Sequence, residues 1–367
     1  MKRRGMSQII TTVIMIGIVL VAIGAVWVVA QNILNQGLED VSLGSLKINM
    51  DIENIEITND GIDVRVKRNS GEANLVGLNF IVSNGDDTEV FEVETNMKEL
   101  ATQTFSLDYF GVVESVEVAP ILMDENGRER SYNSINIKEL SLEETLVNLG
   151  AVSWWRLDGN AIDEIGDNDG AIVGNADCNV EGVDGEACEF DGDNGYVYVS
   201  GSEGLDANLE SKSYVSWIKS SEDIIDGEGS IRSILSKYPE SEHEPRFDIA
   251  LEKATGYFLF DIESSVNTDT VRIDSDIDLR DNSWHQVVAI RDREDDVLRI
   301  YIDGIEGAVP VADTDQDGSN EGDFVIGDFP INLGNGRTFL GEIDDVIVFN
   351  RALTENEVEW LYRQGLN

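Results

Sequence analysis

Trp284-His285-Gln286-Val287-Val288-Ala289-Ile290, followed a few residues later by Leu298-Arg299-Ile300-Tyr301-Ile302-Asp303-Gly304, decides how the larger part of this chain folds. Both runs are dense in β-branched and aromatic residues, and both have the length of a strand. Tyr214-Val215-Ser216-Trp217-Ile218, Phe247-Asp248-Ile249-Ala250-Leu251 and Tyr257-Phe258-Leu259-Phe260-Asp261-Ile262 read the same way. A two-sheet jelly roll over 151–367 accommodates so many strands in one Trp-, Gly- and Asp-rich region.

Working toward the amino end, Lys138 to Gly150 is rich in Glu and Leu and predicts one or two helical turns, with a linker at 141–150. Before it, Ile55-Glu56-Ile57, Ile62-Asp63-Val64-Arg65-Val66, Phe91-Glu92-Val93-Glu94 and Val116-Glu117-Val118 alternate apolar with polar, the period of half-buried strands. Asn59-Asp60-Gly61, Asn69-Ser70-Gly71, Asn84-Gly85-Asp86 and Asn126-Gly127 punctuate them as turns. Residues 45–140 therefore read as a small antiparallel β-sandwich head, and the chain as mainly β.

The first thirty residues differ in kind. Lys2-Arg3-Arg4 precedes an apolar run from Ile9 to Ala30 without acid or base, long enough at ~1.5 Å per residue to cross a bilayer core of ~30 Å. A cleaved secretory signal has a shorter apolar stretch, of ~7 to 15 residues, although Val28-Val29-Ala30 loosely supplies its small-x-small site. A signal anchor fits, with the bases holding the amino end in the cytoplasm. Lys2-Arg3-Arg4-Gly5 followed by Met6-Ser7-Gln8-Ile9-Ile10 also resembles the class III signal of archaeal type IV prepilins and archaellins. That resemblance implies a signal at 1–5, cleavage between Gly5 and Met6 by a prepilin-type peptidase, and a helix and linker over 6–44 that sit in the membrane or pack against copies of the chain. Ile10 stands where bacterial pilins carry a glutamate, which favours the archaeal form. Gly17 and Gly24, two turns apart, permit close helix approach.

In the carboxyl region, Trp155-Arg156-Leu157-Asp158-Gly159, Phe190-Asp191-Gly192, Ser283-Trp284-His285, Ile302-Asp303-Gly304 and Gly341-Glu342-Ile343-Asp344-Asp345-Val346-Ile347-Val348-Phe349-Asn350-Arg351-Ala352-Leu353-Thr354 occur in this order. Together they resemble the laminin-G-like, concanavalin A-like jelly-roll family. The resemblance implies a domain that binds glycan or protein, often with a structural calcium, and hence an adhesive role. Laminarinase-type hydrolases share the architecture and use Glu-x-Asp-x-x-Glu, one carboxylate attacking while the other protonates the leaving oxygen. Glu342-Ile343-Asp344-Asp345-Val346-Ile347 begins that pattern and lacks its second glutamate, so no catalytic residue is assigned. His243 and His285 make no pair by sequence, and His285 reads as structural.

Composition narrows the partners. With 26 basic against 72 acidic residues the formal net charge is −46, the opposite of a nucleic-acid footprint. Lysine is scarce, 9 against 17 arginines, and such a surface stays soluble where salt screens its self-repulsion. Cys178 and Cys188 are the only cysteines; in an exported domain they predict a disulfide, and they are too few for zinc. Asp313-Thr314-Asp315-Gln316-Asp317-Gly318-Ser319-Asn320-Glu321 starts like a calcium loop, with oxygen ligands at Asp313, Asp315, Asp317, Ser319 and Glu321, but Phe324 stands at position twelve. The alternative is an Asp-rich surface turn. Asp158, Asp163 and Asp345 are weaker candidates for the rim calcium that the laminin-G-like resemblance implies. No Asn-x-Ser/Thr acceptor occurs, so no N-linked glycan is expected.

The expected protein is a cell-surface, pilin-like adhesin. A membrane-anchored enzyme or sensor acting on glycans and a purely structural stalk are the alternatives.

Overall fold

The computed structural model describes residues 48–365, except 59–60, 86, 202–203, 222–230, 239–244, 265–269, 315 and 330–336. The signal at Gly5 and Met6, the segment 6–44, Asp315 and His243 lie outside the described residues. Among the described residues no helix is long and apolar enough to cross a membrane.

The head comprises β1 (Met50–Thr58), β2 (Gly61–Arg68), β3 (Leu75–Ser83), β4 (Thr88–Glu94), β5 (Thr102–Leu107), β6 (Ser115–Met123), β7 (Glu129–Ser131) and β8 (Asn136–Glu139). They form two antiparallel sheets, β1-β2-β5 facing β4-β3-β6-β7, with β8 added to β6. Alternation in the sequence becomes burial: Ile62, Val64 and Val66 turn inward while Arg65 stays exposed. The Phe80 and Phe105 rings meet across the layers at 5.2 Å. Arg68 is buried and ties the loops together, donating to the carbonyls of Met97 at 2.6 Å and Ala73 at 2.7 Å.

A short helix, α1 (Leu142–Asn148), follows, started by a capping box in which Ser141 and Glu144 satisfy each other's backbone N–H groups. Gly150 stops it in a left-handed conformation at φ 86°.

The second domain contains β9 (Ala151–Trp155), β10 (Gly170–Val173), β11 (Asp177–Glu181), β12 (Glu186–Asp191), β13 (Tyr196–Val199), β14 (Lys212–Ser221), β15 (Ile231–Tyr238), β16 (Arg246–Glu252), β17 (Tyr257–Glu263), β18 (Thr270–Asp278), β19 (Asp281–Asp292), β20 (Val297–Ile302), β21 (Ile305–Glu306), β22 (Val311–Ala312), β23 (Asp323–Ile326), β24 (Leu340–Phe349) and α2 (Glu355–Gln364). One sheet has seven strands in the order β10-β13-β23-β15-β16-β17-β18. The other runs β11-β12-β24-β14-β19-β20-β21, with β9 beside β24 and β22 beside β20. A jelly roll results, its core filled from both sheets by Trp155, Phe190, Tyr214, Phe247, Phe260 and Phe324 among others. Trp155 stacks on Phe324 at 5.4 Å across the layers.

Cys178 and Cys188 form a disulfide between β11 and β12. A loop this short contributes ~2 to 3 kcal/mol by the chain-entropy argument.

The amphipathic α2 covers the outer face of the nine-stranded sheet. Val358, Trp360 and Leu361 pack on Val215, Val288, Ile347 and Phe349, together with Leu146 and Leu149 from α1 and Val112 from the head. The Trp360 indole donates to Glu114 Oε1 of the head at 2.7 Å, and Arg351 Nε donates to the Leu149 carbonyl at 2.6 Å. Head and jelly roll thus share one apolar seam.

Candidate binding face of the seven-stranded sheet

α2 covers the outer face of the nine-stranded sheet; the outward-pointing residues in the middle of the seven-stranded sheet are buried as well. Strand alternation puts Phe247, Ile249 and Leu251 of β16 and Phe258, Phe260 and Ile262 of β17 into the core. Asp248, Ala250, Leu259 and Asp261 therefore point the other way. Asp248 and Asp261 are directly opposed in the β16–β17 register.

Neither carboxylate is fully satisfied. Asp248 is 1% exposed; its Oδ2 accepts from Ser233 Oγ at 3.1 Å and lies 3.8 Å from Arg337, whereas its Oδ1 is buried with no partner. Asp261 Oδ1 is also buried and unpartnered. Burial, and then the charge of Asp261, push the Asp248 carboxyl well above the ordinary carboxylate range. Burial likewise raises Asp261, partly offset by the Arg246 and Arg272 guanidiniums. Around the pair the cations are engaged: Arg246 with Glu263, Arg272 with Asp274 through Nε at 2.8 Å, and Arg337 stacked 4.2 Å over the Phe329 ring. Ile231, Ala250 and Leu259 make a small buried apolar cluster on the same side of the sheet. Tyr196 and Tyr198 stand half-buried on β13 farther across the sheet.

The residues singled out from sequence fall elsewhere. Asp313 is an ion-pair residue: its side chain and that of Arg291 have no solvent exposure, and Arg291 grips it through Nε at 2.6 Å and a second nitrogen at 3.0 Å. Arg293 adds a third contact at 2.9 Å. Burial raises the Asp313 carboxyl, but the two guanidiniums outweigh it and hold the group below its ordinary range. Asp317 accepts from the backbone N–H and the hydroxyl of Ser319, at 3.0 and 2.6 Å. Glu321 is exposed.

Asp163 organises a loop, with Oδ1 accepting from the N–H groups of Trp154, Ile165 and Gly166 and Oδ2 from Asn168. Asp158 and Asp184 both pair with Arg156, at 2.9 and 3.3 Å. Asp345 sits in a left-handed bulge at φ 45° and accepts from the Trp154 indole at 2.9 Å. Burial pushes its carboxyl up to about 6. Burial and the neighbouring Asp345 push Asp344 up to about 8. Arg156 thus already serves Asp158 and Asp184, and among the described residues no group of three or more His, Cys, Asp or Glu is placed to hold a metal ion.

Glu342 pairs with Lys219 at 2.8 Å. His285 lies between Asp303 at 2.8 Å and Asp281 at 3.2 Å, and these bonds raise it above its ordinary value.

Sequence reading passed over Asp248 and Asp261, although each interrupts an apolar strand. A single charge at an outward position of a strand reads as surface; that two such charges are opposed and buried follows only from the pairing of β16 with β17.

Comparison with known proteins agrees with this architecture. Residues 190–359 match the model of the laminin-G-like family described as the concanavalin A-like lectin/glucanases superfamily. That segment is a laminin-G-like jelly-roll domain, and the strands from β9 to β11 extend it toward the amino end. No curated protein matches the sequence. Among solved structures, the chain is similar to the binding domain of Paraclostridial Mosquitocidal Protein 1, at 15% identity and TM-score 0.49, over 59% of this chain and 52% of that one. It is also similar to domain 4 of an extracellular arabinanase from Geobacillus stearothermophilus in complex with arabinotriose, at 16% identity and TM-score 0.45, over 58% of this chain and 99% of that one. A third is the carbohydrate-binding module of the Ruminococcus gnavus IT-sialidase, at 15% identity and TM-score 0.40, over 48% and 96%. The chain spans about half the length of the first of these.

Proposed function

We propose that this is a cell-surface adhesive protein of pilin-like build. Its jelly roll binds a glycan or protein on another surface, the head at 45–140 carries the jelly roll outward, and the segment 6–44 anchors the chain or polymerises with copies of it. The observation that supports the binding role is the laminin-G-like jelly-roll domain matched over 190–359. The order of basic stub, Gly5 and apolar run supports processing before Met6 and a place in the membrane or a filament.

Two measurements test the two halves. Mass spectrometry of the native protein from cell-surface fractions is expected to find Met6 at the amino terminus; an intact Met1 removes the pilin-like part. Screening the full-length protein against glycans and against cells of other types is expected to give saturable binding. Absence of any binding leaves a structural stalk.

A further inference from the structure

Two cavities meet at the seam between head and jelly roll. The inner one, of about 40 Å³, lies by the end of α2 on the outer face of the nine-stranded sheet. Strand register builds its floor: Gln286 of β19 stands opposite Trp217 of β14, and Trp217 in turn stands opposite Asp344 of β24. The register of β24 shifts there, and Asp345, at φ 45°, joins Trp154 and Trp217 in the wall. The outer cavity, of about 330 Å³, is lined by Ser83, Glu114 and Glu139 of the head, Thr145 of α1 and Trp360 of α2. Leu142 and Gln364 line both cavities.

Their charge has one sign. Asp184 and Asp345 line the inner cavity and Glu114 and Glu139 the outer, whereas among the described residues neither lining contains a lysine or an arginine. Arg156 lies 5.4 Å over the Trp154 ring, outside the lining, and is held by Asp158 and Asp184. Acids alone are ordinary in a chain of net charge −46, but the inner cavity adds a buried acceptor without a donor. Gln286 is 1% exposed, and its Oε1 has no hydrogen-bond partner. We infer that the seam binds a linear aliphatic polyamine, one ammonium group entering the inner cavity against Asp345 and Gln286 and the next lying beside Glu114 and Glu139. This site is separate from the surface-binding role proposed above, and neither depends on the other.

Size and charge select the class of ligand. About 40 Å³ is little more than one water's share of the liquid, ~30 Å³. The inner cavity therefore takes a single headgroup and refuses a sugar ring, which needs a pocket of ~300 Å³ or more. An anion finds no cation in either lining and is repelled by the acids. A metal ion needs a shell of oxygens, whereas Leu146, Val215, Ile347 and Leu361 make much of the inner wall carbon. An ammonium group on an alkyl chain suits both kinds of surface. Its N–H groups donate to the Asp345 carboxylate and to Gln286 Oε1, the indoles attract its charge, and its methylenes lie along Leu142. Asp345 keeps acceptor capacity for this, since the Trp154 indole takes only Oδ1, at 2.9 Å. The way in is open to solvent: the Asp184 side chain is 69% exposed and Leu142 39%.

The test titrates the full-length protein with propane-, butane- and hexanediamine, and with butylamine, tetramethylammonium and calcium. Tryptophan emission is followed, because Trp154 and Trp217 line the inner cavity and Trp360 the outer. Expected is saturable diamine binding with an optimum chain length, tighter than butylamine by roughly tenfold for the second charged contact. Tetramethylammonium, which carries the charge but is too bulky for the inner cavity, should give no comparable response. Asp345→Asn, a residue suited to φ 45°, should weaken diamine binding roughly ten- to a hundredfold. Gln286→Leu should weaken it roughly tenfold while Tm stays level or rises, because carbon replaces an acceptor that had no partner. Butylamine binding as tightly as the diamines, an equal response to tetramethylammonium or calcium, or full affinity in Gln286→Leu overturns the inference. So does the absence of a saturable response to any amine, which leaves an inner cavity that holds water alone. Should a variant fail to fold, the wild-type comparison of diamine, butylamine and tetramethylammonium decides.

Discussion

Replacing Asp313 by Asn tests whether the Asp-rich loop is a metal site or the seat of a buried ion pair. Arg291 has no solvent exposure, donates to the carbonyls of Ala207 at 3.0 Å and Asn208 at 2.6 Å, and spends its remaining contacts on the two Asp313 oxygens. Asn keeps the shape and one acceptor but strips the charge, leaving a guanidinium in the interior without a counter-ion. Breaking a buried pair from one side costs ~3 to 5 kcal/mol. At ~2 to 4 °C per kcal/mol for a domain of this size, calorimetry should show Tm lower by roughly 6 to 20 °C. The loss should be the same in calcium and in chelator, and little changed by salt, because the pair is screened poorly from within. The double substitution of Arg291 to Met and Asp313 to Leu should recover much of it, since apolar residues of similar volume replace such pairs at small cost. Because the Asp313 carboxyl is held below its ordinary range, its contribution is present above the unfolded value. It fades as pH falls through the lowered one, and the variant should lack that acid limb. A cost under about 1 kcal/mol, or a wild-type Tm that rises with calcium and a variant that no longer responds, would refute the ion-pair account.

Other expectations follow from the same structure. Asp344, whose carboxyl burial lifts to about 8, binds a proton in the folded state that the unfolded chain has released; stability should decline as pH rises from about 4 to about 8, and Asp344→Asn should flatten that slope in chemical denaturation. Trp360→Ala should cost ~3 to 5 kcal/mol and split one calorimetric transition into separate head and jelly-roll melts, since the indole fills the seam and bonds Glu114; a single unshifted transition counts against a shared seam. Dialysis to low salt should lower Tm through repulsion among surface acids, and a melting temperature independent of salt counts against that repulsion.

The opposed acid pair was only partly legible beforehand. Phe247-Asp248-Ile249 and Phe260-Asp261-Ile262 announce strands through their apolar residues, and the aspartates read as the solvent side of those strands. Strand pairing is a long-range event that neither segment encodes alone, so the burial of the two acids against each other stayed hidden. The converse holds for Asp313. Its spacing to Asp317, Ser319 and Glu321 mimics a calcium loop, but spacing carries no information about Arg291, which arrives from β19 and takes the carboxylate. Local pattern tells what a loop offers, not which distant charge reaches it first.

What the sequence determined alone was the alternation that makes Ile62, Val64 and Val66 core and Arg65 surface, the strand composition of the jelly roll, and the Glu- and Leu-rich helical turns that become α1. These depend on neighbours within a few residues, where periodicity and hydrogen-bonding reach are fixed by backbone geometry. Tertiary structure alone decided which sheet face the carboxyl-terminal helix covers, because α2 lies over the nine-stranded sheet and joins it to the head through Val112, Leu146 and Trp360. It also decided that Asp248 and Asp261 meet. Both outcomes require apolar area and charge from segments far apart in the chain to compete for the same surface, and only the folded arrangement settles that competition.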